Sequence, residues 1–287
     1  MTVRGTGATA GALVAVLLAA GCTTSAGPGG GTPTVTSAPA ATSGPAAAVS
    51  SHGWSRQRLR GAVARRTGVT RTAKPTVLNG LVGAVFTRNA DGDHFCTASV
   101  VDSAGLNLIV TAAHCVWDLD LGQRSDLVFV PGYRDGDTPS GVWPLLSVAV
   151  DDGWKDHADP DVDVAFAVVQ AQNGKQVQQV LGANTLGVNR GYRLPVKVTG
   201  YPGTSDVPIT CSNTTTEQSP TQLRIDCPDY TGGTSGSPWV TDFDPNTRTG
   251  TVVGVIGGYQ EGGDTPDTSY SSYFGDRVQA LYDRATG

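Results

Sequence analysis

From Val77 onward, apolar residues come in brief runs broken by Gly, Pro, Asn and Asp: 81–86, 95–101, 106–110, 127–130, 145–150, 162–169, 196–199 and 251–256. Runs this short, rich in Val and bounded by turn formers, predict strands rather than helices. So many in one stretch point to an all-β sandwich or a pair of barrels. Only the tail departs from this pattern. There Val278, Leu281, Tyr282 and Ala285 recur at three- and four-residue steps, the period of a helix face.

The N-terminal part has a different texture. Arg4 precedes an apolar run, 8–20, that is too short to span a bilayer and is followed by small and polar residues, the pattern of a secretory signal peptide. The run ends Leu18-Ala19-Ala20-Gly21-Cys22, which resembles the lipobox of bacterial lipoproteins, although Ala19 stands where that motif more often has Leu. The resemblance implies lipidation of Cys22 and a protein exported to the extracellular face of the membrane, held there only by its lipid, or secreted. Residues 23–51 are almost entirely Thr, Ser, Ala, Gly, Pro and Val, which cannot bury enough apolar area to offset ordering entropy, so a disordered stalk is expected. Residues 54–74 are Arg-rich and include Arg65-Arg66, and three readings stay open: a pro-segment attracted to an acidic domain, a patch lying near anionic lipid, or a solvated tail. The expected organisation is a signal segment at 1–22, a stalk with its basic stretch at 23–76 and a folded domain at 77–287.

Composition sharpens the division. With 38 Gly, 17 Pro, 39% hydrophobic and 16% charged residues in 287, helical bundles and coiled coils are excluded. Residues 1–75 carry eight Lys and Arg and no Asp or Glu, so the net charge of −5 is +8 followed by −13. A folded part that acidic repels phosphate backbones, and no nucleic-acid partner is expected. Setting Cys22 aside leaves Cys96, Cys115, Cys211 and Cys227, an even number with three pairings and no zinc-type spacing. In an oxidising compartment the neighbours, Cys96 with Cys115 and Cys211 with Cys227, are expected to pair.

Three local contexts carry chemistry: Thr111-Ala112-Ala113-His114-Cys115, Asp163-Val164-Ala165-Phe166, and Thr231-Gly232-Gly233-Thr234-Ser235-Gly236-Ser237-Pro238. Over roughly residues 81–282 their order and flanks resemble the chymotrypsin-like serine proteases, in particular the bacterial secreted branch that includes glutamyl endopeptidases. The resemblance implies two six-stranded antiparallel barrels, about 77–175 and 190–274, and a C-terminal helix at about 275–286. It implies Ser235 as nucleophile, His114 as general base and then acid, Asp163 as the carboxylate that orients it, and the N–H groups of Gly233 and Ser235 as an oxyanion hole. A serine hydroxyl needs that arrangement because it is a poor nucleophile until an imidazole in the right tautomer takes its proton. Cys96 and Cys115 fall where this family closes a disulfide around the histidine loop. The reaction expected is peptide-bond hydrolysis through an acyl-enzyme, on a peptide or protein substrate, by a monomer without metal or cofactor.

Rival readings of these residues are weaker. His157 lies among acidic residues and reads as a solvated group, His94 sits where relatives carry a structural histidine, and His52 is in the stalk. Asp159, Asp161 and Asp163 imitate the start of a calcium loop, but Val164 occupies the sixth position and Gln170 the twelfth, which rejects an EF-hand. Gly233 to Ser237 lacks the last Gly of a nucleophile elbow, and an α/β-hydrolase runs Ser, Asp, His.

Two departures from the family pattern bear on activity. Thr234 replaces the Asp that in animal trypsins pairs with a newly cut N-terminus, and Gly257 replaces a Ser that supports the orienting carboxylate. They support an alternative, a surface-displayed binding module that keeps the fold without turnover. The resemblance lines the specificity pocket with Asp229, Tyr230, Ile256, Gly257, Gly258 and Tyr259. Asp229, six residues before Ser235, corresponds to the pocket-floor Asp that selects Arg and Lys, unless Pro228-Asp229-Tyr230 forms a surface turn. Ile256 stands where glutamyl-specific relatives use His, and Tyr259, where trypsins have Gly, is expected to narrow the entrance.

Overall fold

The computed structural model describes residues 67–87 and 94–287. The signal segment, Cys22, the stalk and the basic stretch through Arg66 lie outside the described residues.

Six strands close into an antiparallel barrel: β1 Val82–Thr87, β2 His94–Val101, β3 Leu108–Thr111, β4 Leu127–Pro131, β5 Trp143–Val150 and β6 Ala165–Val169, in hydrogen-bonding order β1-β2-β3-β6-β5-β4. Closure pairs every edge strand. The inward positions of these strands, among them Val85, Ala98, Val100, Ile109, Phe129, Trp143 and Ala167, fill the interior.

Six principal strands follow: β7 Pro195–Gly200, β8 Ile209–Thr214, β9 Gln222–Asp226, β10 Pro238–Asp244, β11 Thr249–Val255 and β12 Thr268–Ser272. They divide between two sheets. In one, β8, β7, β10 and β11 lie in that order, flanked by Arg71–Thr72 beside β8 and Thr185–Leu186 beside β11. The other holds Thr216–Ser219, β9 and β12. Val196, Val198, Leu223, Ile225, Trp239, Val253 and Ile256 form the core between them. Arg71–Thr72 pairs with Ile209 and Thr210, and Gly68 N donates to Asp226 O at 2.8 Å, so backbone pairing reaches further toward the N-terminus than residue 77.

A third apolar cluster joins the two halves. Leu81, Val101, Leu108, Val110 and Phe166 from the first meet Val240, Val252 and Val255 from the second, and the C-terminal helix α1, Asp276–Thr286, adds Val278 and Leu281. The helix is anchored at its charged end as well: Arg277 reaches Asp151 at 2.7 Å and Asp159 at 3.1 Å. These exposed pairs contribute little stability but hold the loop before β6.

Each of the eight apolar runs in the sequence overlaps a strand. The strands without such a run are β8, β9, β10 and β12. In Thr268–Ser272 the buried positions are Ser269, Ser271 and Ser272, so its inward face carries no hydrophobic signal.

The cysteines pair as expected. Cys96–Cys115 spans 19 residues and ties β2 to the turn carrying His114, while Cys211–Cys227 spans 16 and ties β8 to the end of β9, linking the two sheets. Loops of this size are worth about 3 kcal/mol each in the chain-entropy account. Replacing both cysteines of either bridge with Ala should therefore lower the unfolding free energy by about that amount in urea titrations. Loss of Cys96–Cys115 should in addition alter the His114 imidazole NMR signal, and loss of Cys211–Cys227 should leave it nearly unchanged.

Candidate active site

Strand register brings the first two candidate residues together. β3 and β6 are neighbours with Thr111 opposite Ala165, so His114, three residues past one end, and Asp163, two residues before the other, emerge at the same rim of the barrel. The short helix Ala113–Val116 turns the chain there, and the disulfide at Cys115 pins it to β2. Asp163 closes the 3₁₀ turn Pro160–Val162, whose Pro sits at the start and whose cap is the Asp159 side chain, accepting from Asp161 N at 3.0 Å.

Asp163 is fully buried. Its Oδ1 accepts from His114 N at 3.0 Å, and its Oδ2 lies 2.8 Å from His114 Nδ1 and accepts from Gly258 N at 2.8 Å. Burial alone would raise its pKa, but the imidazole and the N–H donors outweigh it and hold the carboxyl below its ordinary value. For His114, burial alone would lower the pKa; the charge and hydrogen bond of Asp163, with Glu261 adding and Arg124 opposing, leave it above the ordinary 6.5. An ionised Asp163 accepts only, so the neutral imidazole carries its proton on Nδ1 and presents Nε2 as an acceptor.

Ser235 is brought in from the second half. Its carbonyl accepts from Thr97 N of β2 at 2.7 Å, and Thr111 Oγ1 donates to the Thr97 carbonyl at 2.8 Å. At Gly236, with φ +82°, a Cβ would lie 2.1 Å from Thr97 O and 2.2 Å from Thr111 Oγ1, so only Gly lets the loop dock this closely beside Ala112 and His114. Ser235 and His114 are both partly exposed, and no hydrogen bond joins their side chains among the described residues, a looseness common in hydrolytic sites without substrate.

The loop's hydrogen bonds leave the N–H groups of Gly232, Gly233 and Ser235 without a protein acceptor among the described residues. Those of Thr234, Gly236 and Ser237 donate to Thr231 O, Ile256 O and Thr234 O. Thr234 Oγ1 also donates to Thr231 O at 2.7 Å, and Ser237 Oγ to Thr234 O at 2.6 Å. The turn is thus closed by its own bonds and needs no ion pair with a chain terminus.

A cavity of about 360 Å³ opens beside Ser235, bounded by Tyr230 to Gly232, Thr234, Ile256 and the segment from Gln260 to Pro266. Tyr230 and Ile256, both expected in the pocket, are among its lining residues. Gly257 and Gly258 are buried behind the cavity, and Gly257 backs against Asp163. Tyr259 is 42% exposed, packs edge-on against Tyr270 and lies outside the lining, so it does not narrow this cavity.

Asp229 is a correction to the pocket-floor reading. It is exposed, has φ +72° and lies in a surface turn with Thr231 N donating to its carbonyl at 3.1 Å. The reason is its neighbour: Tyr230 takes the inward position, with its hydroxyl donating to Val198 O at 2.9 Å, which aims Asp229 outward. The acidic residues among those lining the cavity are Glu261 and Asp264, which the sequence reading missed; the Asp264 carboxylate accepts from Gln260 Nε2. The available signal was two acids inside the glycine-rich stretch after β11. Gln260 and Glu261 both hold left-handed φ values, 53° and 50°, an unfavourable backbone for such residues.

Other histidines and acids fall outside the site. His157 is exposed at the end of helix Asp152–His157, His94 lies on β2, and His52 is outside the described residues. Asp161 accepts from Gln222, and Asp159 from Arg277, which fits a structural loop rather than a calcium loop.

No family model matches the chain. Among curated proteins it is similar to an "Extracellular metalloprotease" of Bacillus subtilis, 25% identical over 171 residues that cover 59% of this chain and 53% of that protein, so the match spans about half of the relative's length. Among solved structures it is similar to the protease Anisep of Arthrobacter nicotinovorans, with 26% identity, TM-score 0.66 and coverage of 76% and 99% of the two chains. A thermostable serine protease, AL20, from an extremophilic microorganism gives 29%, 0.64, 72% and 97%. A Glu endopeptidase gives 19%, 0.60, 78% and 99%, a likeness of fold alone. The single cluster of three residues of metal-ligating type among those described is Cys96, His114 and Cys115, where both sulfurs are spent in the disulfide and Nδ1 is held by Asp163.

The His114 environment can be checked directly. An NMR titration should place the imidazole pKa above 6.5, and Asp163→Asn, which removes the charge while keeping the volume, should bring it down; equal values in both proteins would contradict the coupling.

Proposed function

Taking the chain as homologous to serine proteases of the chymotrypsin fold, we propose that it is a serine endopeptidase whose triad is His114, Asp163 and Ser235. The observation that carries this reading is the bond of buried Asp163 to His114, set beside a loop whose unpaired N–H groups among the described residues include those of Gly233 and Ser235.

Ser235 Oγ attacks the scissile carbonyl carbon as its proton passes to His114 Nε2. The imidazolium that forms is stabilised by Asp163, which stays ionised and holds the ring in place. The carbonyl oxygen, now an oxyanion, is received by the Gly233 and Ser235 N–H groups, each worth roughly 3 kcal/mol of transition-state stabilisation in comparable sites. His114 then protonates the leaving amine, and water, deprotonated by the same imidazole, releases the acyl group. No step calls for a metal or cofactor. Because only neutral His114 accepts a proton and its pKa is raised, turnover of an uncharged substrate should increase with pH through an ionisation above 6.5.

The preference for Arg and Lys is retained, but with different residues. Glu261 and Asp264 are among the residues that line the cavity beside Ser235, and two acids there favour a cationic side chain and oppose an acidic one. Glu261→Gln with Asp264→Asn should lower kcat/KM after Arg and Lys by about 10- to 100-fold while sparing uncharged side chains, and Asp229→Ser should change neither. A fluorophosphonate probe tests the enzyme reading itself: labelling should occur and vanish in Ser235→Ala, whereas a folded, unlabelled wild type would favour the binding module.

The two disulfides and the extracellular relative support export, and Cys22 supplies the anchor. Two acyl chains on Cys22 give stable attachment where one is marginal. Cys22→Ser should shift the protein from the membrane fraction to the medium, as read by immunoblot; an unchanged distribution would remove the anchor.

A further inference from the structure

The third donor to Asp163, Gly258 N–H, comes from the second half of the chain, and what holds it there is a buried amide. Gln222, at the start of β9, is 4% exposed, and its side chain is bonded at both ends. Nε2 donates to Pro160 O at 2.8 Å and to Asp161 Oδ1 at 2.9 Å; Oε1 accepts from Tyr259 N at 3.0 Å. Pro160 and Asp161 belong to the turn that delivers Asp163, and Tyr259 follows the residue that donates to it. One side chain therefore grips the carboxylate's support on both sides.

The surroundings leave it no slack. Ser272, directly opposite Gln222 on β12, donates from Oγ to the same Pro160 carbonyl at 2.9 Å. At Gly258, with φ +80°, a Cβ would lie 2.4 Å from Gln222 Oε1 and 2.8 Å from Ser272 N. Removing the amide would strand Tyr259 N–H in a partly buried place and free Asp161, so the turn and the donor segment would move independently.

We propose that Gln222 is a positioning residue: it locks the Pro160–Val162 turn to the Gly258–Tyr259 segment so that Asp163 meets His114 in one orientation. This rests on the triad reading above. Gln222 touches neither substrate nor the reacting atoms and acts through Asp163.

The test compares the full chain with Gln222→Met, which keeps the volume and removes the amide, by NMR titration of His114 and by kinetics on an uncharged peptide. The charges acting on the ring are Asp163, Glu261 and Arg124; because Glu261 belongs to the turn that Gln222 holds through Tyr259 N, the substitution is also made in a Glu261→Gln background, where a shift reports on Asp163. The imidazole pKa should fall toward 6.5. Turnover should drop about 10- to 100-fold, the scale of a ~1 Å misplacement, with KM changed by about twofold at most. Gln222→Asn, which withdraws the amide by one methylene, should move both readouts less in the same direction and serves if the Met variant does not fold. A folded variant with unchanged imidazole pKa overturns the proposal, as does a loss confined to melting temperature or KM. A wild type that hydrolyses no peptide would instead sink the protease reading, while the titration still decides the role of Gln222.

Discussion

A carboxylate sealed from water is the constraint around which the rest of this site is arranged. Buried and alone, Asp163 would take up a proton; three N–H donors keep it ionised, and two of them belong to one residue, His114. That double bond to backbone and ring fixes the imidazole in position and tautomer at once. The third donor, from Gly258, makes the carboxylate a joint between the two halves of the chain. Neither half alone supplies its full solvation, so the apolar cluster that packs the halves together also sets the acid–base chemistry.

The nucleophile loop obeys the same logic. Its bonds to β2 and the close approach at Gly236 leave it one place to sit, next to the strand that ends at Thr111. Internal bonds from Thr234 and Ser237 satisfy the turn's carbonyls and leave the N–H groups of Gly233 and Ser235 without a protein acceptor among the described residues. Backbone donors held this way cost no reorganisation when charge develops in front of them, which is what an oxyanion site requires. The loop's self-sufficiency also makes Thr234 intelligible: with the turn already closed, an activating ion pair would have nothing left to hold.

On the proposed reading, substrate choice falls to a less regular part of the molecule. Between Gly258 and Gly263 the backbone stays almost wholly in left-handed conformations, including two ordinary residues, Gln260 and Glu261. Such a segment survives because its neighbours over-determine it: Tyr259 N is bound by Gln222, Glu261 N by Gly258 O and Gly263 N by Gln260 O. This segment carries Glu261 and Asp264 along the cavity beside Ser235.

The sequence by itself determined the strand-rich class, because Val-rich runs between turn formers have few other solutions, and the three motifs, because His114, Asp163 and Ser235 sit in local contexts legible without contacts. It also determined the cysteine pairing, where neighbours were the simplest choice. Tertiary structure decided what depends on direction rather than identity. Asp229 and Tyr230 are adjacent in the chain and only one can face inward; the ring with the hydroxyl that finds Val198 O does, and the carboxylate is turned out. Glu261 and Asp264 lie more than twenty residues past Ser235 in a stretch with no strand or helix period, so no pattern placed them in its cavity. The same holds for Gly258, Gln222 and the serine-lined strand β12: their roles come from hydrogen bonds between elements far apart in sequence, which composition and spacing do not encode.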